Sequence, residues 1–257
     1  MPWSPTSLPR LYVSSDLAAG LAHACTPEQT NYLASVLRLD AGAHVLAFNG
    51  RDGEWLCEIA RSGRRNVTLT TQKQVRRQTV APDLHYLFAP LKRARLDYMV
   101  QKAAEMGASH LQPVMTRHTQ AERVNLERMH ANAVEAAEQC GTLSIPSIGE
   151  PVRLDKLLAG WPTERRIVYC DESADVADPV ATLQRLQRGP MAVLIGPEGG
   201  FSQDERDLLR RLPYVTAISL GPRILRADTA AVAALALVCA VLGDWRGDDK
   251  VSGTTGA

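Results

Sequence analysis

The sequence lacks the patterns that mark secreted, membrane-spanning and zinc-binding proteins. Its five cysteines lie far apart, and no two have the two-residue spacing typical of zinc chelation or thiol chemistry. We therefore expect buried, reduced thiols. The first ten residues contain no basic segment followed by an apolar run, and the longest apolar stretch, Ala230 to Leu242, is shorter than the roughly 20 residues that cross a bilayer. These features predict a cytoplasmic protein with no membrane partner.

The signatures of nucleotide and metal enzymes are missing as well. No glycine-rich loop carries the lysine and Ser/Thr of a phosphate-binding P-loop, and no GxGxxG follows the first strand of a βαβ unit. A bound triphosphate or dinucleotide is therefore not expected, which makes a nucleotide-dependent oxidoreductase the least favoured function. The six histidines show no metal-ligand spacing, and no Ser/His/Asp or Cys/His arrangement is evident. We expect no bound metal.

Positive charge is present but unevenly distributed. The net charge of the whole chain is only +1, yet residues 51–95 contain ten basic and four acidic side chains. The rest of the chain is therefore negative. Because affinity for phosphate comes largely from lysine and arginine, this segment indicates an electropositive face that binds nucleic acid. A solvated charged surface is the alternative interpretation.

The pattern of apolar residues divides the chain into two domains. Over residues 1–75, short apolar runs alternate with turn residues such as Asn49-Gly50, which predicts a small antiparallel β unit. Over residues 76–246, strands and helices alternate, which predicts an α/β domain with a largely parallel sheet. Residues 247–257 are expected to form a flexible tail.

Local signals place the individual elements. Thr26 with Gln29 and Ser202 with Glu205 have the spacing of capping boxes and predict helix starts. The expected strands lie at 11–13, 45–48, 55–59, 67–71, 84–89, 111–115, 167–170, 192–195 and 217–220. The expected further helices lie at 96–106, 126–140, 202–212 and 228–242.

Two glycine-containing loops follow short apolar strands, at residues 195–202 and 220–229. In open α/β sheets, ligands bind beyond the carboxyl ends of the strands, and glycines there let a ligand approach the main chain. Such loops suit a ligand that is held by its adenine and ribose through backbone groups. A pair of tight turns without function is the alternative.

These loops also carry a resemblance to a known family. LIGPEGGFSQDE at 194–205 and LGPRILRADTAAVAAL at 220–235 resemble the paired C-terminal signatures of the RsmE branch of the SPOUT methyltransferases. PLKRARLDYMVQKAAEMGASHLQPVMTRHTQ, EAAEQCGTLSIP and PRLYV are similar to more central and N-terminal segments of that family. The resemblance covers essentially the whole chain.

The resemblance implies a fold, a cofactor and a substrate. It implies an N-terminal PUA-like β-barrel, a C-terminal SPOUT-type α/β domain with a trefoil knot, and a homodimer. It also implies transfer of a methyl group from S-adenosylmethionine to N3 of one uridine in 16S rRNA of the small ribosomal subunit. The residues expected to hold the cofactor are Leu194, Ile195, Gly196, Glu198, Gly199, Gly200, Leu220, Gly221, Ile224, Leu225 and Arg226.

Methylation of uridine N3 requires removal of its proton and stabilisation of the resulting anion. Asp228 is the candidate base or orienting carboxylate, with Arg226 and Arg10 as candidate cations. The alternative for Asp228 is that it only caps the following helix, and Glu198 either neutralises the sulfonium or holds its loop. The residues expected to bind RNA are Arg10, Arg64, Arg65, Lys92, Arg93 and Arg95.

The chain departs from the family pattern at two positions. Asp228 stands where the family usually has a glutamate, and Thr142 stands where many members have an arginine. Two further functions stay open: an RNA-binding protein of the same fold without catalysis, and a SPOUT methyltransferase that acts on another RNA position.

Overall fold

The computed structural model describes residues 8–62, 66–121, 123–171 and 178–246. These residues form two compact units. The first unit contains the described residues up to Val80 together with Val134–Ile145. The second unit contains the described remainder, from Ala81 to Ala133 and from Pro146 onward. Arg64, Arg65 and the expected tail at 247–257 lie outside the described residues.

The first unit is built on a curled, half-barrel sheet of five strands in the order β1-β3-β4-β5-β2. β1 runs parallel to β3, and the other neighbouring strands are antiparallel. The strands are β1 Arg10–Tyr12, β2 Ala22–Ala24, β3 His44–Phe48, β4 Glu54–Ser62 and β5 Asn66–Arg76. The prediction of a β-rich N-terminal module is confirmed.

A short helical segment covers part of this sheet. α1 spans Pro27–Asn31 and continues into a π-helical turn at Tyr32–Val36. The predicted capping box is present, because the hydroxyl of Thr26 accepts from the Gln29 N–H and the side chain of Gln29 accepts from the Thr26 N–H. Leu33 of this segment packs into the apolar core of the unit with Leu11, Val45, Ile59 and Leu69.

The second unit contains a parallel sheet in the order β12-β10-β11-β6-β7-β8, with β9 paired to the end of β7. The prediction of an α/β fold with a parallel sheet is therefore confirmed. Its strands are β6 Leu84–Phe88, β7 His110–Met115, β8 Ser147–Ile148, β9 Val152–Arg153, β10 Arg166–Cys170, β11 Met191–Ile195 and β12 Val215–Ile218.

Helices connect these strands. They are α2 Arg93–Glu105, α3 Leu126–Cys140, α4 Leu154–Ala159, α5 Pro179–Gln184, α6 Gln203–Arg211 and α7 Ala227–Val241, followed by a 3-10 turn at Asp244–Arg246. The second predicted capping box, between Ser202 and Glu205, is present at the start of α6. α2 begins three residues before the predicted Leu96, and β12 lies two residues before the predicted 217–220.

The central strand and the last helix form the interior of the second unit. Every residue of β11 is buried, as the continuous apolar run MAVLI predicts for a strand covered on both faces. α7, whose sequence is ADTAAVAALALVCAV, packs against β11 and α2. None of the helices described here is long and apolar enough to cross a membrane.

Candidate active site

Two loops lie at one edge of the parallel sheet because they follow parallel strands. The first joins β11 to α6, and the second joins β12 to α7. β10 lies between these two strands in the sheet, so the loops flank its carboxyl end. This is the edge at which α/β proteins bind their ligands, as the sequence predicted.

The first loop is held rigidly from both sides. Gly200 has a φ of 66° and donates its N–H to the carbonyl of Pro197. The ring of Phe201 is buried and meets Tyr169 edge-on at a centroid distance of 5.2 Å. From outside, Nδ1 of His118 lies 3.1 Å from the carbonyl oxygens of both Gly199 and Gly200. The main chain of this loop is therefore fixed by neighbours that come from elsewhere in the sequence.

The second loop exposes its main chain and one apolar side chain. Gly221 has a φ of 102°, and a Cβ at this position would meet open space. The side chain of Ile224 is 92% exposed. Arg226 is exposed and provides the N-cap position of α7 without a capping side-chain hydrogen bond. The predicted cofactor residues thus form one buried group, Leu194 and Ile195 in β11, and two accessible loop segments.

Asp228 is not the N-cap of α7, so the capping interpretation is wrong. The N-cap is Arg226, and Asp228 is the second residue of the helix. Its Oδ1 accepts a hydrogen bond from the Thr229 N–H at 2.9 Å, which fixes one carboxylate oxygen. The side chain is 20% exposed, and the helix dipole favours its negative charge in the first turn.

Arg95 lies between the two loops. Its Nη1 is 3.4 Å from Oε1 of Glu198 in the first loop, and its Nε is 4.0 Å from Oδ2 of Asp228. Arg95 and Glu198 are more than one hundred positions apart in the sequence, and Glu198 and Asp228 are thirty positions apart. The fold therefore brings together three residues that are distant in the sequence. Glu198 was predicted to bind the cofactor, Asp228 was predicted to take part in catalysis, and Arg95 was predicted to bind RNA.

Burial keeps two ionisable side chains near the site, Tyr86 and Cys170, in their protonated forms. The hydroxyl of Tyr86, on β6, has no hydrogen-bond partner among the described residues. Burial raises the pKa of Tyr86 well above its ordinary value, and the nearby Cys170 and Asp228 add to this effect. Burial also raises the pKa of the Cys170 thiol to about 12. Both groups stay protonated near neutral pH, so neither supplies a nucleophile.

A buried carboxylate at the end of β10 was not predicted. Asp171 is paired with Arg210 at 2.8 Å and with Arg206 at 3.8 Å, and its side chain is not exposed. It directly follows a buried strand, so the rule that places ligand sites after strands could have drawn attention to it. The pairs join the end of β10 to α6.

The cations predicted to bind RNA have different surroundings. Lys92 and Arg93 are exposed at the start of α2. Arg10 is buried in the first unit, where its Nε bonds Glu54 at 2.6 Å and its other nitrogens donate to the carbonyls of Ala137, Glu138 and Thr142. A role for Arg10 in binding RNA or stabilising an anion would require these bonds to open.

No metal centre is found in the part of the chain that the structure describes. There, no group of three or more His, Cys, Asp or Glu residues is arranged to hold an ion.

Comparisons with known proteins agree with this architecture. Residues 79–239 match the family model of an RNA methyltransferase domain, and residues 26–72 match that of an RNA methyltransferase PUA domain. The ribosomal RNA small subunit methyltransferase E of Rickettsia conorii is 30% identical over 231 residues, which cover 89% of this chain and 94% of that protein. The protein of the same name from Bacillus subtilis is 26% identical over 87% of this chain and 91% of its own length.

Solved structures show the same fold. A structure from Legionella pneumophila, described as a methyltransferase in complex with the bound cofactor SAM, is 28% identical, has a TM-score of 0.80 and covers 93% of this chain and 100% of that one. The ribosomal RNA small subunit methyltransferase E of Neisseria gonorrhoeae is 21% identical with a TM-score of 0.81, and covers 93% of this chain and 99% of that one. The matched domain covers more than half of the chain, and the Rickettsia relative covers most of it. The chain therefore belongs to the ribosomal RNA small subunit methyltransferase E family.

Proposed function

We propose that this protein transfers a methyl group from S-adenosylmethionine to N3 of a uridine in 16S rRNA of the small ribosomal subunit. One observation carries this proposal beyond family membership. The two glycine-containing loops bring a carboxylate each, Glu198 and Asp228, to the carboxyl edge of the parallel sheet. A site for methyl transfer to uridine N3 needs a place for the donor and a group that accepts the proton, and this edge offers both.

The residues present suit the donor. Gly221 has left-handed backbone geometry with open space beside it, so its main chain is accessible to a ligand. The segments at 194–200 and 220–226 would hold S-adenosylmethionine through main-chain groups and the apolar side chains of Leu220 and Leu225. When bound, S-adenosylmethionine supplies a methyl group carried on a positively charged sulfur. Glu198 provides a negative charge in the first of these segments.

Asp228 is proposed to accept the proton of uridine N3. Oδ1 is fixed by the Thr229 N–H, and Oδ2, which lies 4.0 Å from Nε of Arg95 and beyond hydrogen-bond distance, is proposed to accept the substrate proton. General-base catalysis of this kind contributes roughly 10²- to 10⁴-fold to a rate.

Exposed cations are proposed to bind the rRNA backbone. Lys92 and Arg93 at the start of α2 and Arg226 at the start of α7 are all exposed and belong to the second unit. Phosphate contacts position the substrate without selecting the base. The choice of uridine is therefore assigned to the site around Asp228. Arg64 and Arg65 keep their predicted role in binding RNA as part of the proposal.

Three further expectations belong to this proposal: a homodimer, a cytoplasmic location, and a trefoil knot that contains the two donor loops. The domain boundary near residue 75 is also retained, together with the flexible tail. Light scattering after gel filtration measures the oligomeric state, and a monomeric mass would contradict the dimer.

The substrate class is tested with labelled S-adenosylmethionine and purified ribosomal subunits. Small and large subunits from cells that lack this methyltransferase are incubated separately with the protein, and label in rRNA is counted. We expect incorporation into 16S rRNA alone. Label in 23S rRNA would favour a methyltransferase of another RNA position. Donor binding without any incorporation would contradict the proposed substrate, and failure to bind the donor would favour a non-catalytic RNA-binding protein.

A further inference from the structure

Arg95 connects the two donor loops through their carboxylates. Its guanidinium lies 3.4 Å from Glu198 and 4.0 Å from Asp228, so one side chain reaches both loops at once. The side chains of Arg95 and Glu198 are somewhat more than one-third exposed, whereas that of Asp228 is 20% exposed. An isolated surface ion pair of this exposure contributes little to folding stability. The position of Arg95 between the carboxylates of Glu198 and Asp228 therefore points to a role in the site and not to a role in folding stability.

The backbone that carries Arg95 is firmly anchored. Arg95 is the third residue of α2, and the next turns of that helix bury Met99 and Val100. Asp97, two residues later, accepts hydrogen bonds from Arg128 at 2.6 and 2.8 Å and from Asn132 at 2.8 Å, which hold the start of α2 on α3. The pKa of Asp97 is lowered mainly by its hydrogen bond to Arg128. The start of α2 is thus fixed independently of any ligand.

The cluster of Arg95, Glu198 and Asp228 carries one more negative charge than positive charges. Glu198 and Asp228 contribute two negative charges, and Arg95 contributes one positive charge. A sulfonium beside these residues would complete the balance. Arg95 offsets part of the negative charge of the two carboxylates. Its guanidinium therefore weakens the electrostatic preference of the site for the positively charged donor over the neutral product.

We propose that Arg95 is a positioning residue of the methyl-transfer site, which orients the Asp228 carboxylate and offsets one carboxylate charge beside the donor. This inference rests on the proposed function. It assigns Arg95 to the reaction centre, whereas Lys92 and Arg93 on the same turn of chain remain phosphate contacts. The planar guanidinium presents a different nitrogen to each carboxylate, with Nη1 hydrogen-bonded to Glu198 and Nε at ion-pair distance from Asp228, a geometry that the single ammonium group of lysine does not reproduce.

A mutant cycle separates this role from a phosphate contact. In Arg95→Gln, single-turnover rates at saturating donor and subunit should fall 10- to 100-fold, and Arg95→Lys should lie in between. In an Asp228→Asn background, Arg95→Gln should change the rate less than about 3-fold, because residues that act through one another are not additive. Equal losses in both backgrounds would overturn the inference. An effect confined to the KM for subunits would do the same.

Lys102→Gln provides the matched control. Lys102 lies two turns further along α2 and pairs with Glu105 at 2.7 Å on the surface, so its replacement removes the same charge from the same helix. We expect wild-type rates and donor affinity for Lys102→Gln. Far-UV circular dichroism and urea unfolding of each variant establish that it is folded, and Arg95→Lys replaces Arg95→Gln in the cycle if the latter does not fold.

A binding measurement tests the charge balance without any turnover. Calorimetry gives the Kd of S-adenosylmethionine and of neutral S-adenosylhomocysteine for the wild type and for Arg95→Gln. Loss of the guanidinium leaves two carboxylates uncompensated, so the preference for the positively charged donor should increase several-fold. The same change in affinity for both ligands would contradict the inference. If the wild type binds both ligands but methylates no subunit, the proposed function fails while this measurement still decides the role of Arg95.

Discussion

The ring of Phe201 occupies the space beside Gly196, so that a Cβ added at residue 196 would lie 2.7 Å from Cε2 of Phe201. Phe201 is buried and packed edge-on against Tyr169, and therefore it has little room to move. Gly196 is thus required by packing, which is a different reason from the open main chain at Gly221.

Gly196→Ala should destabilise the protein and weaken donor binding. Overpacking of this kind costs roughly 1–3 kcal/mol, and displacement of Phe201 would shift the loop that contains Glu198. Urea unfolding and calorimetry with S-adenosylmethionine measure the two effects. Gly160→Ala is the control, because a Cβ there meets its nearest atom only at 4.0 Å. Unchanged donor affinity in Gly196→Ala would show that the loop does not depend on this contact.

Asp228→Asn should lower kcat by at least about 100-fold with little change in the Kd of the donor. The amide keeps the shape of the side chain but cannot accept the N3 proton. Rapid-quench turnover on small subunits gives kcat, and calorimetry gives the Kd. Asp228→Glu, which restores the usual family residue, is expected to retain most activity. A fully active Asp228→Asn variant would remove Asp228 from the mechanism.

Glu54 should be essential for the stability of the first unit. It is buried and bonds Arg10 at 2.6 Å and Arg76 at 2.7 Å, and both arginines also donate to main-chain carbonyls within residues 137–142. Glu54→Ala leaves buried positive charge without its partner and should cost about 3 kcal/mol of unfolding free energy. The exposed pair between Arg51 and Asp16 is the control, and Asp16→Asn should unfold like the wild type. A similar stability for both variants would argue against the buried network.

Tyr86→Phe should leave the unfolding free energy unchanged or raise it by up to about 1 kcal/mol. The hydroxyl is buried and lacks a partner among the described residues, so its removal relieves a desolvation cost without opening a large cavity. Urea unfolding measures the difference from the wild type. A loss of stability would show that the hydroxyl has a partner, such as a buried water.

Stability should decrease as the pH falls from about 6.5 towards 4, with His85 as one cause. Burial lowers the pKa of His85 to about 4, and Arg165 and the adjacent His110 add to this effect while Asp83 opposes it. The unfolded chain then binds a proton that the folded chain does not, so this contribution is present above pH 6.5 and is lost progressively down to pH 4. The loss amounts to roughly 3 kcal/mol at most.

The test is urea unfolding between pH 4 and 7 for the wild type and for His85→Gln. The slope assigned to His85 should be missing from the variant. An unchanged slope would mean that other groups, including His110 whose pKa is also lowered by burial, account for the pH dependence.

Sequence patterns predicted the local structure better than the long-range contacts. The capping boxes at Thr26 and Ser202 depend on residues three positions apart, and both were correctly predicted. Residues 134–145 belong to the first unit, where carbonyls of this segment accept hydrogen bonds from Arg10 and Arg76, more than 60 residues away in the sequence. The periodic pattern of apolar residues in a sequence gives no information about hydrogen bonds between such distant residues.

The same distinction applies to the site. The two loops were identified because each combines glycines with the end of an apolar strand, which is a local signal. The alternative that Asp228 is the N-cap misplaced the helix start by two positions, because an aspartate before Thr229 and an alanine-rich run resembles a cap, whereas the N-cap is Arg226. The contacts of Arg95 and His118 with these loops span 81 to 133 positions and carry no local signature.

The central claim is tested most directly by identifying the modified nucleoside. Small subunits from cells that lack the methyltransferase are incubated with the purified protein and labelled S-adenosylmethionine, and the 16S rRNA is digested to nucleosides for chromatography and mass spectrometry. The account predicts that 3-methyluridine carries the label and that Asp228→Asn produces little of it. Label in any other nucleoside, or none while the donor binds, would contradict the account.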